Sequence, residues 1–257
     1  MLLAVDIGNT HTVIGLFRDL EMWDSWRIAS DPMKTEDEYA ILLSNLLATE
    51  GHGMREIKAL SLSSTVPTLT DVWHQLTNKY FDIEPLIVNA DTKIDMKLNV
   101  DNPKMVGADR IVNSVAAIHK YGTNLIVVDL GTATTFDCIS ADGEYIGGAI
   151  APGVAVSAEA LAQKAAKLPD VQFVVPEKVL SQNTIGALQS GIIYGFAGQI
   201  DGIVKHLKAE MGGDVKVIAT GGLAEKIAAV CETVDEIDPT LTLRGLNLIF
   251  RKSIGKA

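Results

Sequence analysis

Two short stretches of the chain carry the same arrangement of an acid, a glycine and hydroxyl side chains. The first, AVDIGNTHTVI, begins at Ala4, and the second, VVDLGTATTFD, begins at Val127. Each places an aspartate, Asp6 or Asp129, between an apolar run and a glycine-containing turn. Backbone N–H groups in such a turn suit phosphate, and an aspartate beside them can hold a cation that bridges to phosphate. The repeated turn predicts a clamp for a polyphosphate and its metal ion.

A single Asp-x-Gly turn is also a common hairpin turn, so either stretch alone is a weak sign of a site. The pair is more specific, because each stretch ends a buried strand and starts a matched half of the chain. The stretch VIATGGL adds Gly221 and Gly222 at the end of a further strand, where a flat base could lie on bare backbone. The patterns GxxxxGK[ST] and GxGxxG, which mark other phosphate sites, do not occur in the sequence.

The loop VGADR offers acid–base chemistry. Asp109 stands beside Arg110 at the start of a predicted helix. A carboxylate in that place could accept the proton of an alcohol during phosphoryl transfer. Arg110 would keep Asp109 ionised and could pair with an anionic substrate. An ordinary surface Asp-Arg pair at a helix start is the alternative, and the residues alone leave both open.

The elements that must position these residues occur in the same order in both halves. Periodicity and turn signals predict βββαβαβ for the first half, and the pattern restarts at the strand NLIVVDLG. In the second half, SAEALAQKAAKL and the long stretch that begins at Asn183 are predicted helices. The predicted fold class is α/β, with two duplicated βββαβαβα-type domains at 1–115 and 116–257 and a cleft between them. Clefts between domains are common small-molecule sites.

Composition narrows the classes of partner and the compartment. The 257 residues are 47% hydrophobic and 21% charged, which is typical of a globular protein with a substantial core. A net charge of −10 without clustered Lys and Arg argues against nucleic acid or an anionic membrane as a partner. Cys138 and Cys231 lack the spacing of a metal or disulfide framework, and no apolar run approaches bilayer length. A soluble cytoplasmic protein is expected.

A stripe of small residues follows one face of the long predicted helix. Its members recur three and four residues apart, the spacing that aligns side chains on a helix. Glycine inside a helix costs about 1 kcal/mol relative to alanine, so the stripe predicts that another backbone approaches there. Packing within one subunit and a homodimer interface both satisfy this requirement. The stripe comprises Ala187, Gly191, Gly195, Gly198 and Gly202.

Together the motifs resemble a known family. DIGNT, DLGTATT and ATGG are similar to the two phosphate signatures and the adenosine signature of the sugar kinase, heat-shock protein and actin superfamily, whose fold is the actin-like ATPase or ribonuclease H-like fold. In order along nearly the whole chain, DIGNTHT, NPKMVGADRIVN, DLGTATTFD, GGAIAPG, QNTIGALQSG and ATGG resemble type III pantothenate kinase. The resemblance implies a transferase that phosphorylates the primary hydroxyl of pantothenate with ATP, the first step of coenzyme A biosynthesis.

The resemblance also implies roles for individual residues. Asp109 matches the general base, and Asp129 matches the ligand of a monovalent cation, K⁺ or NH₄⁺. Asp6 would bind Mg²⁺ through water, and Thr184 would reach the pantothenate site of the partner in a homodimer. The residues matched to ATP binding are Asp6, Ile7, Gly8, Asn9, Thr10, His11, Thr12, Val13, Thr132, Gly221 and Gly222, and those matched to pantothenate binding are Gly107, Ala108, Asp109, Arg110 and Thr184.

Val100 departs from the family pattern. Many members carry a tyrosine that contacts pantothenate two residues before the Asn-Pro of the substrate loop, and Val100 stands at that place here.

Two alternatives to a kinase are a non-catalytic regulatory or accessory relative that keeps the nucleotide cleft, and another ATP-dependent transferase or phosphatase of the superfamily. The GADR loop argues against the second alternative. Against the first argues the retention of the matched residues, which are Asp6, Asp109, Arg110, Asp129, Thr132 and Thr184.

Overall fold

The computed structural model describes residues 1–165 and 168–255 and divides into two compact units. The first unit contains residues 1–95, 101–116 and the segment from 241 onward, and the second contains 96–100 and 117–240. The division of the chain into domains at 1–115 and 116–257 stays a prediction. Of the helix predicted for SAEALAQKAAKL, residues 166 and 167 lie outside the described part of the chain.

Each unit is built on a five-stranded sheet with helices packed against it. The strands are β1 (Leu2–Ile7), β2 (His11–Arg18), β3 (Glu21–Ala29), β4 (Ala59–Ser64), β5 (Leu86–Ile87), β6 (Leu125–Leu130), β7 (Ala133–Ile139), β8 (Tyr145–Pro152), β9 (Lys216–Thr220) and β10 (Glu236–Ile237). The helices are α1 (Glu36–Thr49), α2 (Pro67–Phe81), α3 (Ala108–Tyr121), α4 (Val154–Lys164), α5 (Thr184–Met211), α6 (Ala224–Ile227) and α7 (Leu241–Ser253). Among the described residues, none of the helices has the length and apolarity to cross a membrane.

The two sheets repeat one topology. The strand order is β3-β2-β1-β4-β5 in the first unit and β8-β7-β6-β9-β10 in the second. In both, the first three strands along the chain form an antiparallel meander, and the two later strands join parallel to its first strand. The predicted α/β class and the internal duplication are therefore confirmed.

The structure contains two strand pairings that the sequence did not predict, that of β10 with β9 and that of the segment 96–100 with β8. The strand β10 has only two residues, both exposed, so it carries no apolar alternation that a pattern could detect. The segment 96–100 pairs along β8, where the N–H of Asn99 donates to the carbonyl of Tyr145 at 2.8 Å and the N–H of Tyr145 donates to the carbonyl of Lys97 at 2.9 Å. Val100 belongs to this segment and is half-buried beside Gly147.

Strand alternation separates the core of the first unit from its candidate site. Successive side chains of a strand point to opposite faces of the sheet. Leu3, Val5 and Ile7 of β1 therefore join the buried cluster that also contains side chains of α1 and α2. Asp6 points to the other face, against which α7 packs. In the second unit the same alternation directs Val128 to the core and Asp129 to the opposite face.

Helices α3 and α7 approach each other closely at a glycine. A Cβ at Gly245 of α7 would overlap the backbone carbonyl of Val112 in α3. Nearby, the hydroxyl of Thr242 donates to the side-chain oxygen of Asn113 at 2.7 Å. Helix α7 thus fixes α3, whose first turn carries Asp109.

We expect Gly245→Ala to destabilise the first unit, because the backbone of Val112 must move to admit a methyl group. The cost expected for such overpacking is about 1–3 kcal/mol. Tryptophan fluorescence during thermal unfolding reports on this unit, because all three tryptophans lie in residues 1–95. The control is Gly53→Ala, where a Cβ would meet only the side chain of Glu56 at 3.9 Å. Equal melting temperatures for the two variants would contradict the close packing.

Candidate active site

Asp6 lies at the end of β1 beside a buried serine. Ser63 of β4 is the parallel strand partner of Asp6, and its hydroxyl donates to Asp6 Oδ1 at 2.5 Å. The Ser63 side chain is fully buried. The sequence analysis did not single out Ser63, although the Leu-Ser alternation of β4 indicates serines that share one sheet face. The structure thus adds a residue to the candidate site.

The environment of Asp6 disfavours its charged form. Burial raises the pKa of this carboxyl to about 6, the hydrogen bond from Ser63 opposes the rise, and the negative charge of Asp109 adds to it. Asp6 nevertheless keeps some contact with solvent. The two acids that the motifs assign to metal–ATP binding and to base catalysis are therefore near enough to interact electrostatically, and both belong to the first unit.

Asp109 occupies the first turn of α3 and is half-buried. Burial raises the pKa of its carboxyl. The backbone N–H of Arg110, which donates to Asp109 Oδ1 at 2.8 Å, and the Arg110 charge both act in the opposite direction but are weaker. Arg110 therefore does favour the ionised form of Asp109, as expected, but the effect of burial on the pKa is larger. A base whose pKa is moved toward neutrality is better matched to proton transfer near pH 7.

Gly107 gives the Asp109 carboxylate its space. A Cβ built on Gly107 would overlap Asp109 Oδ1, so the side chain of Asp109 folds back over a bare backbone atom. Ala108 and Arg110 are half-buried like Asp109. Four of the five residues predicted to bind pantothenate, 107–110, are therefore consecutive at the start of α3, and the fifth, Thr184, begins α5.

The first glycine turn is a tight hairpin. The N–H of Gly8 donates to the carbonyl of His11 at 3.0 Å, and the N–H of Thr65 donates to the carbonyl of Ile7 at 3.0 Å. Thr12 is fully buried, and its hydroxyl shares a 2.8 Å hydrogen bond with that of Ser30, so this hydroxyl supports the turn from inside. Ile7 is buried and Val13 half-buried, whereas the exposed tip comprises Asn9, Thr10 and His11.

In the second unit the structure brings together two residues predicted for different roles. Gly221, at the end of β9, has a φ of +95°, and a Cβ there would overlap Asp129 Oδ1 and the backbone of Leu130. The bare backbone of Gly221 is thus required by the close approach of β6. Gly222, which follows it, is exposed.

Thr132 lies exposed in the second glycine turn, between β6 and β7. The N–H of Gly153 donates to the Thr132 carbonyl at 3.2 Å, and a Cβ on Gly153 would overlap the carbonyls of Gly131 and Thr132. Gly153 directly precedes α4. The last glycine of GGAIAPG is therefore explained by its contact with this turn.

A buried acid lies further along β7. Asp137 is fully buried and accepts hydrogen bonds from the hydroxyl of Tyr145 at 2.9 Å and from Thr135 at 3.1 Å. Thr135 is the strand partner of Asp129. Asp137 therefore supports β7 and β8 behind the second turn.

The small-residue stripe of α5 faces outward. Ala187 and all four glycines of the stripe are exposed, and a Cβ on any of these glycines would meet no described atom within 4 Å beyond the adjoining turns of α5. Thr184, also exposed, is the first residue of α5, directly after Asn183, whose side chain accepts the N–H of Gly186 at 2.9 Å. The described residues of this chain therefore do not supply the backbone that the sequence predicts to pack against the stripe.

Comparisons with known proteins agree with these motifs. The family model for type III pantothenate kinase matches residues 2–206. A type III pantothenate kinase from Moorella thermoacetica is 47% identical over 253 residues, covering 98% of this chain and all of that protein. A structure from Campylobacter jejuni, described as a Baf family transcriptional activator, is 20% identical with a TM-score of 0.58, covering 98% of this chain and 99% of the other. A ROK family glucokinase from Streptomyces griseus, 12% identical with a TM-score of 0.51, covers 98% and 99%. The two structures show the fold alone.

We expect Asp6→Asn to stabilise the ligand-free protein at pH 7 and to have little effect at pH 4. The pKa of Asp6 is raised to about 6 on folding, so its contribution favours folding at low pH and is lost as the pH rises through about 6. A shift of about two pKa units sets an upper limit of about 3 kcal/mol on the gain, since Asp6 retains some solvent contact. Asparagine keeps an oxygen that can accept from Ser63.

Thermal melting between pH 4 and 8 in the presence of a chelator measures this difference. Asp71→Asn, at an exposed position of α2, is the control. A stability difference between Asp6→Asn and the native chain that stays constant across this range would contradict the buried-acid interpretation.

Proposed function

The chain belongs to the type III pantothenate kinase family, and on that premise we propose that it transfers the γ-phosphoryl group of ATP to the primary hydroxyl of pantothenate. The product is 4′-phosphopantothenate, and the reaction is the first step of coenzyme A biosynthesis. One observation carries the proposal beyond family membership: Asp6 and Asp109 interact electrostatically within one unit. A metal-binding acid and a base near each other are what transfer to an alcohol requires.

Asp109 serves as the general base. The pantothenate hydroxyl oxygen forms a bond to the γ-phosphorus while the bond from that phosphorus to the β–γ bridging oxygen breaks, and ADP leaves. The hydroxyl proton passes to the Asp109 carboxylate. Gly107 leaves room for that carboxylate, and Arg110, in the same helix start, pairs with the pantothenate carboxylate.

The residues near the first turn fit ATP with Mg²⁺. Asp6 presents a carboxylate, the hard oxygen ligand that Mg²⁺ prefers. Its Oδ1 is held by Ser63, and Oδ2 accepts no hydrogen bond from the described residues, so Oδ2 is available to a metal-bound water. The bound Mg²⁺ would neutralise phosphate charge. We assign ATP binding to the turn from Asp6 to Val13, to Thr132, and to Gly221 and Gly222.

Asp129 is assigned to a monovalent cation, K⁺ or NH₄⁺. Its carboxylate lies at the second turn against the bare backbone of Gly221, so an oxygen ligand and turn carbonyls occur together. Such oxygen donors suit a hard cation.

We place the enzyme in the cytoplasm, where its two cysteines, which are not disulfide-bonded, would remain reduced.

The exposed stripe of α5 supports a homodimer. These glycines cost helix stability, and a Cβ on any of them would face open space in the described chain; both facts are explained if the backbone of a second copy packs on them. Thr184, at the start of the same helix, would then reach the partner's pantothenate site. Cyclic two-fold symmetry would form two equivalent sites per dimer.

We expect pantothenate-dependent release of ADP that is stimulated by K⁺, measured with a coupled assay. Asp109→Asn should lower kcat by 10² or more, the effect of losing a general base. Gly107→Ala should also lower kcat, because a Cβ there would displace Asp109 Oδ1 from its hydrogen bond with the N–H of Arg110. No pantothenate-dependent ADP release by the native chain would favour the accessory alternative.

We expect Gly195→Ala to weaken dimerisation and to lower the melting temperature. On a helix face without a partner the same change would stabilise by up to about 1 kcal/mol, so the sign distinguishes the two cases. Analytical ultracentrifugation gives the oligomeric state. Because Thr184 would complete the partner's site, we expect Thr184→Ala to be inactive, like Asp109→Asn. Mixing the two variants should then restore about one quarter of native activity, since half of the dimers are mixed and each has one intact site. A mixture of Asp109→Asn with Asp109→Ala, the control, should stay inactive.

A further inference from the structure

We propose that Ser63 is a positioning residue for the metal-binding acid: its hydroxyl holds one oxygen of Asp6 so that the other faces the Mg²⁺·ATP complex. The inference deepens the proposed function and rests on it. Ser63 would not contact substrate itself; it would act through Asp6.

The contact is built into the sheet. Asp6 and Ser63 are Cα partners in the parallel pairing of β1 with β4, so the two side chains leave the same face at the same level. Ser63 is fully buried, and its hydroxyl donates to Asp6 Oδ1. A serine hydroxyl has a single proton to donate, and that proton is committed to the acid.

The two oxygens of Asp6 therefore have different surroundings. Oδ1 is engaged by Ser63, whereas Oδ2 accepts no hydrogen bond from any residue in the described ranges. A carboxylate fixed at one oxygen cannot rotate freely about its last bond, so the other oxygen keeps one direction. Groups that hold a metal-binding side chain in this way typically change metal affinity or activity 10–100-fold when they are removed.

A second serine on the same strand provides a matched control. Ser61 shares the sheet face of Ser63, is equally buried, and donates its hydroxyl to the backbone carbonyl of Leu246 in α7 at 3.1 Å. Removal of either hydroxyl deletes one hydrogen bond that a fully buried serine of β4 donates. Only the loss of Ser63 releases Asp6.

The test compares Ser63→Ala with Ser61→Ala. Binding of Mn²⁺ in the presence of ADP, followed by electron paramagnetic resonance, measures metal affinity without turnover. We expect the affinity to fall about 10–100-fold in Ser63→Ala and to change less than about 2-fold in Ser61→Ala. In steady-state assays the Mg²⁺ concentration for half-maximal rate should rise similarly in Ser63→Ala, while KM for pantothenate stays near the native value.

Ser63→Cys covers the case in which Ser63→Ala does not fold, since a thiol of similar shape is a weak donor and should also weaken Mn²⁺ binding. Native-like Mn²⁺ affinity in a folded Ser63 variant, or equal losses in the Ser63 and Ser61 variants, would overturn the positioning role. Native protein that binds Mn²⁺ with ADP but releases no ADP with pantothenate would overturn the proposed function alone.

Discussion

The first unit keeps two carboxylates near each other in a partly desolvated place, and this electrostatic constraint governs its candidate site. Asp6 and Asp109 repel, and burial disfavours the charge of each. The fold offsets the cost with local donors, the hydroxyl of Ser63 for Asp6 and the N–H of Arg110 for Asp109. A divalent cation at the proposed site would relieve the remaining repulsion, so its binding would offset the cost of burying the two acids.

Because the sheet is duplicated, Asp6 and Asp129 occupy equivalent strand positions, but their neighbours differ. Asp6 pairs with Ser63 across β1 and β4, and Asp129 pairs with Thr220 across β6 and β9. The charge of Asp109 adds to the rise in the pKa of Asp6, and the bare backbone of Gly221 lies against the Asp129 carboxylate. The corresponding ends of the two strands are thus the proposed sites of a divalent and a monovalent cation.

The sequence predicted the elements whose signals are local. Apolar alternation and turn residues gave the meander strands, and helical periodicity gave α1, α2 and α5. The pairing of 96–100 with β8 uses main-chain groups that have no side-chain signature. The position of Ser63 beside Asp6 depends on strand order, which composition does not encode. The pKa of Asp109 is raised because the fold buries its carboxyl, and the neighbouring Arg110 in the sequence suggested only the opposing effect, which is the weaker one.

The parallel pairing of β1 with β4 also bears on how the protein is made. Ser63 follows Asp6 by 57 residues, and the intervening chain must form a meander and a crossover helix before the two strands meet. Closing so long a loop is slow compared with forming the hairpin of β1 and β2. During synthesis Asp6 would therefore be a hydrated acid in a nascent hairpin, and its proposed metal-binding arrangement would form only after β4 has emerged from the ribosome and paired with β1.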